Sequence, residues 1–172
     1  MAEEDATFRP EEILETLDRH GVEFVLIGGL AAVLHGAPYV TVDVDITPRA
    51  EAANLARLAE ALVDLEARVR ADAAGRVAVA FQPDATFLEG QQILNLMTRA
   101  GPLDIAQVPS GTRGYAELAR DAIAIDLGAT RVRVASLADV VRSKEAADRP
   151  KDRAALPVLR RLLEEESRRR DR

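Results

Sequence analysis

The 172-residue chain has no cysteine and no tryptophan, and aromatic residues make up only 3% of it. Without cysteine there is no disulfide, no thiolate nucleophile and no Cys-ligated zinc. Histidine is scarce too. His20 and His35 are the only two, well apart from each other in the chain, so a histidine-rich metal site is excluded. A metal bound here has to be a hard cation held by carboxylates. Long apolar runs are also missing: Phe24-Val25-Leu26-Ile27 is soon interrupted, far short of the ~20 residues that cross a bilayer. No membrane partner is therefore expected. Met1 to Glu12 is acidic and lacks a basic-then-apolar secretory pattern, which points to the cytoplasm. Lysine is the last scarcity. Of 23 basic residues, two are lysines, Lys144 and Lys151, and they lie close together.

What is present suits one folded unit. With 48% hydrophobic and 30% charged residues, a chain of this length buries roughly 70% of its unfolded surface around a single core. The expected organisation is a single domain over 1–172, with a core at about 10–135 and a helical C-terminal segment at about 136–172. The net charge of −6 argues against extended DNA binding, which phosphate neutralisation dominates. That charge is uneven. Val141 to Arg172 carries 11 basic and 7 acidic residues, and the rest of the chain 12 and 22. A basic end on an acidic body suits a local grip on phosphate.

Periodicity predicts a helix from Pro10 to Gly21 with Ile13, Leu14 and Leu17 on one face, then a buried strand over 23–27. Gly28-Gly29 breaks that strand, and Leu30 to His35 reads as a short helix. Val40 to Thr47 is β-branched and alternating, hence a second strand, followed by an amphipathic helix over 51–65. Arg76 to Phe81 alternates as well. Gln92 to Met97 and Leu103 to Val108 read as a hairpin across residues 98–101, which sets Asn95 opposite Asp104. A second hairpin joins 122–126 to 131–135. Ser136 is a candidate cap for a helix over 137–147, and a last helix starts near Lys151, with Pro157 expected to kink or restart it. The fold class is α+β: a mixed β-sheet flanked by helices, with a helical C-terminal segment.

The chemistry concentrates in Ile27-Gly28-Gly29 and Asp43-Val44-Asp45-Ile46. A glycine pair directly after a strand lets backbone approach a phosphate, and a helix N-terminus behind it adds a positive dipole end. Asp43 and Asp45, two apart on a strand, project from one face, with Val42, Val44 and Ile46 on the other. Two carboxylates ~5 Å apart repel by roughly 3 kcal/mol at an effective dielectric near 20. A divalent cation relieves that repulsion, and oxygen ligands completed by substrate phosphates are what Mg²⁺ prefers.

These residues carry a resemblance. Gly28-Gly29 followed by Asp43-Val44-Asp45 resembles the signature of the nucleotidyltransferase fold, the DNA polymerase beta-like superfamily. The run from Phe24 to Pro48, with Leu137 to Leu156, is similar to bacterial nucleotidyltransferase-like proteins grouped with AbiEii toxins. In that group a helix carrying Lys, here Lys144, is followed by an Arg-x-Lys-Asp motif, here Arg149-Pro150-Lys151-Asp152. The group closes the motif with a further acid where this chain has Ala155. The resemblance implies three carboxylates around Mg²⁺ or Mn²⁺. Asp43 and Asp45 would bind the metal, and a third acid would activate the attacking hydroxyl. Asp104, inside an apolar strand, is the candidate for that acid, and Asp126, beside a turn, is its rival. Lys144, Arg149, Lys151 and Asp152 would join Gly28 and Gly29 in binding the nucleotide.

Plainer readings stand beside these. Lys144 can pair with Asp148 one helical turn on, and Lys151-Asp152 can be the solvated start of the last helix. Two functions from different classes follow. One is an enzyme that moves an NMP from an NTP to a hydroxyl of a protein, a small molecule or an RNA end, as a toxin–antitoxin component in one version. The other is a catalytically inactive nucleotide-binding or protein-interaction module of the same fold. The chain leaves little room for acceptor recognition, so a partner such as an antitoxin, or a homo-oligomer, is expected to supply it.

Overall fold

The computed structural model describes residues 7–72, 74 and 76–172. Strands β1 (Phe24–Ile27), β2 (Val44–Pro48), β3 (Arg68–Arg70), β4 (Ala78–Val79), β5 (Ile93–Thr98), β6 (Gly101–Ala106), β7 (Ile123–Asp126) and β8 (Arg131–Val134) form one mixed sheet in the order β4-β3-β5-β6-β2-β1-β8-β7. β2 runs parallel to β6 and antiparallel to β1, and β1 runs parallel to β8. The helices are α1 (Pro10–Arg19), α2 (Gly28–Leu34), α3 (Ala52–Asp64), α4 (Ala85–Glu89), α5 (Tyr115–Asp121), α6 (Leu137–Ala147) and α7 (Pro150–Arg170). None of the described helices is long and apolar enough to cross a membrane.

Alternation along the central strands decides which face is core. Leu94, Leu96, Leu103, Ile105, Val44 and Ile46 are buried. They join Leu55, Leu58 and Leu62 of α3 and Ile13, Leu14 and Leu17 of α1 in one continuous cluster. Asn95, Asp104 and Asp45, the residues between them, therefore project from the other face. α2 packs against β1, β2 and α6, and α6 packs along α7. The Ser136 hydroxyl accepts from the Asp139 amide and caps α6 as expected.

Several boundaries differ from the sequence reading. β2 begins at Val44, not Val40, because β1 runs out of partners: it pairs from Phe24↔Pro48 to Ile27↔Asp45, and at Gly28 the chain turns into α2. Asp43 thus precedes the strand. Val42 does not pack on its far face; Val40 and Val42 are 90% and 65% exposed. α2 starts at Gly28, so the glycine pair forms its first turn instead of a preceding loop. The alternating segment at 76–81 pairs only at Ala78–Val79, against β3, which the sequence reading left out along with α4 and α5. The β5–β6 turn is tighter than four residues. Thr98 pairs with Gly101, yet this keeps Asn95 opposite Asp104. α7 passes through Pro157 without restarting. Pro157 is exposed, so the carbonyl it leaves without a donor can bond water.

These burials make a stability contrast. Leu103→Ala, at a side chain with no exposure, is expected to cost about 2–5 kcal/mol in urea unfolding. Val42→Ala should stay within about 0.5 kcal/mol. A comparable loss at Val42 would restore it to a packed strand.

Candidate functional site

The register of the sheet assembles the acids. Asp104 of β6 lies beside Asp45 of β2 on one side and Asn95 of β5 on the other. Asp43 joins them from just before β2. One carboxylate oxygen from each of Asp43, Asp45 and Asp104 lies within 4.8 Å of the others, and all three residues are half-buried. Burial, then the neighbouring charges of Asp43 and Asp104, push the Asp45 carboxyl up to about 7, against the pull of Lys151 and Lys144. Burial also raises Asp104, and the Arg70 guanidinium works the other way. Three crowded carboxyl groups, with Asp45 and Asp104 raised, are a hard oxygen donor set that fits a divalent cation such as Mg²⁺.

The glycine pair serves these acids directly. Gly28 has φ +67°, and a Cβ there would lie 2.3 Å from Asp45 Oδ2. A Cβ on Gly29 would meet the Thr41 hydroxyl at 2.9 Å. That hydroxyl donates to the Asp43 carbonyl and to its Oδ1, both at 3.2 Å. Side chains at 28 and 29 would thus displace both N-terminal acids or their support. The sequence reading assigned the pair to phosphate approach; the structure adds this second requirement.

The basic end forms the opposite wall. α6 stops at Asp148, whose φ of +47° turns the chain sharply into α7. The turn brings Lys144 and Arg149 onto Asp152, a residue with no exposure. Lys144 Nζ reaches Asp152 Oδ1 at 3.3 Å. Arg149 Nε reaches Oδ2 at 2.6 Å, and the Arg149 amide donates to the same oxygen at 3.2 Å. Burial alone would raise the Asp152 carboxyl, but the bonds and charge from Arg149 and Lys144 hold it below its ordinary value. Asp152 is thus an anchor beneath two cations, not a solvated helix start. Asp148 pairs with Arg153 at 3.1 Å, so the i,i+4 pairing of Lys144 with Asp148 is not formed.

A cleft of about 830 Å³ joins the two walls, within the ~300–1,000 Å³ of small-molecule sites. Asp43, Asp45, Asp104, Gly28, Gly29, Lys144, Arg149 and Lys151 line it, and so does Ala155. Asp126 does not. It lies exposed on the edge strand β7, and its Oδ1 accepts from the Gly128 amide at 2.8 Å. Asn95 lines the cleft, but the group bonded to Asp104 is Arg70, from β3. Nothing in the sequence marked Arg70, which looks like any strand arginine among the chain's 21.

No family model matches the sequence, and no curated protein matches it either. Among solved structures, the chain is similar to a candidate nucleotidyltransferase from Thermotoga maritima. The two share 16% identity with a TM-score of 0.55, over 95% of this chain and 99% of the other. At that identity the likeness is one of fold. The chain has a nucleotidyltransferase-like α+β fold, with an acidic triad able to take a divalent cation.

The raised Asp45 carboxyl makes a signed prediction. Because its folded value lies above the unfolded one, its favourable contribution is complete below about pH 4 and is lost as pH rises to about 7. Asp45→Asn is therefore expected to stabilise the metal-free chain and raise its Tm at pH 8, with little effect at pH 4. Mg²⁺ should raise the wild-type Tm and leave that of Asp45→Asn unchanged. Melting curves in EDTA and in Mg²⁺ measure both.

Proposed function

We propose that the chain is a Mg²⁺-dependent nucleotidyltransferase that moves an NMP from an NTP to a hydroxyl of a protein, a small molecule or an RNA end. The observation that carries this reading is the meeting, in one cleft, of three mutually repelling carboxylates with a wall of anchored cations. A bound divalent cation would neutralise charge on the triphosphate, and Mn²⁺ can take the same oxygen ligands. Asp43 and Asp45 would hold it. Asp104 accepts the proton of the attacking hydroxyl, whose oxygen bonds to the α-phosphorus as pyrophosphate departs. Lys144, Arg149 and Lys151 bind the triphosphate, and Asp152 fixes the first two. The backbone of Gly28 and Gly29 receives phosphate from the other side. In its finer form the protein is an AbiEii-like toxin of the cytoplasm, with an antitoxin or a second copy as partner.

A catalytically inactive nucleotide-binding or protein-interaction module is the second reading. Ala155 favours it, since it lines the cleft with a methyl group where the resembling proteins carry an acid.

Transfer chemistry separates the two. The protein is incubated with each α-labelled NTP, Mg²⁺ or Mn²⁺ and a cell lysate, and label on protein and RNA is resolved. Label is expected on an acceptor, falling by about 10²- to 10⁴-fold in Asp104→Asn. Nucleotide binding without transfer would favour the inactive module. In calorimetry, Lys144→Ala is expected to weaken NTP binding about tenfold or more, as loss of a charged hydrogen bond does. Arg142→Ala should change it little, because Arg142 is engaged by Asp139 at 2.9 Å and Glu117 at 3.3 Å. Equal losses would make α6 a scaffold.

A further inference from the structure

Arg70 is the cation that neither the sequence motifs nor the proposed reaction uses, and it sits on the third acid. Its Nη2 donates to Asp104 Oδ1, with 18% and 21% of the two side chains exposed. The placement follows from the sheet. β3 pairs with β5 through Arg68↔Met97 and Val69↔Leu96, so the same register sets Arg70 opposite Asn95, which lies opposite Asp104. Arg70, Asn95, Asp104 and Asp45 form one row on the open face. Arg70 Nε is buried without an acceptor, so the guanidinium is committed to Asp104 by a single edge. A guanidinium keeps its charge in any ordinary medium and is weakly hydrated, which suits it to a half-buried ion pair.

We infer that Arg70 is a resident cation of the acid cluster: it occupies one oxygen of Asp104, so the three carboxylates take one divalent cation instead of two until a triphosphate arrives. This deepens the metal-dependent reading above and rests on it. The Arg70 guanidinium is paired with Asp104, which leaves Asp43 and Asp45 as the carboxylate pair free to hold one divalent ion. A second ion would have to displace Arg70 or sit against it, and a like charge a few ångströms away opposes that strongly at protein dielectric. The triphosphate brings the negative charge that a second ion requires. Arg70 in this role is a positioning residue, acting through Asp104 and not on the substrate.

The test is Mn²⁺ binding to the full chain without nucleotide, followed by the electron paramagnetic resonance of free Mn²⁺. Wild type is expected to bind one Mn²⁺. Arg70→Met should bind a second, with the first tightened roughly tenfold or more by removal of a nearby positive charge. Arg70→Gln keeps a donor for Asp104 without the charge and should behave like Arg70→Met, even if the Met variant folds poorly. Arg70→Lys restores the charge and should return to one ion. A structural role alone would not make stoichiometry follow charge. Two ions on wild type, or Arg70→Met and Arg70→Gln titrating like wild type, would overturn the inference. Wild-type binding unaffected by Asp43→Asn with Asp45→Asn would instead remove the metal reading of the whole site.

Discussion

The structure depends on holding three carboxylates closer together than their charges favour. Asp43, Asp45 and Asp104 place oxygens within 4.8 Å of one another, and free side chains would swing apart. They are held because β2 lies between β1 and β6, paired on both sides, with Val44 and Ile46 buried in the core behind Asp45. Burial first, and the crowding of Asp43 and Asp104 second, push the Asp45 carboxyl up to about 7. Hydrophobic burial on one face of a strand thus stabilises an electrostatically unfavourable arrangement on the other. Groups so perturbed in a cleft are candidates for a functional site.

The local backbone obeys the same constraint. Gly28 stands where a Cβ would collide with the Asp45 carboxylate, and Gly29 leaves space for the hydroxyl that steadies Asp43. Across the cleft the opposite problem is solved with a buried acid. Asp152 takes bonds from Lys144 and Arg149 at the junction of α6 and α7, so the flexible stems of these cations are fixed from below. The acidic wall needs positive charge, and the basic wall is organised by a negative one. Arg70 applies the same logic within the acidic wall itself.

Much of this was legible along the chain. The glycine pair, the two N-terminal acids and the two lysines were visible as types at spacings that chemistry recognises. The pairing of Asn95 with Asp104 followed from hairpin symmetry. A tighter turn at Thr98–Gly101 leaves it unchanged, because shortening a hairpin loop symmetrically preserves the register. Asp104 stood out as an acid in an apolar strand. Errors arose where a partner, not a pattern, decided the outcome. Val40 and Val42 have strand propensity, but no neighbouring strand reaches them once β1 has turned into α2. β3 is three residues long, too short for any period to be read from it.

By itself the sequence determined the chemical inventory, the alternation that sends Asp45 and Asp104 to one face, and the helical end that carries both lysines. These follow from residue type and from the local periods of strand and helix, which need no knowledge of what lies opposite. Only the tertiary structure decided that Asp104 and not Asp126 joins the cluster, that Lys144 pairs with Asp152 and not Asp148, and that Arg70 reaches Asp104 from two strands away. Each is a choice among chemically equivalent partners. Such choices depend on strand order and on the turn between α6 and α7, and the free energy that sets these is summed over the whole core.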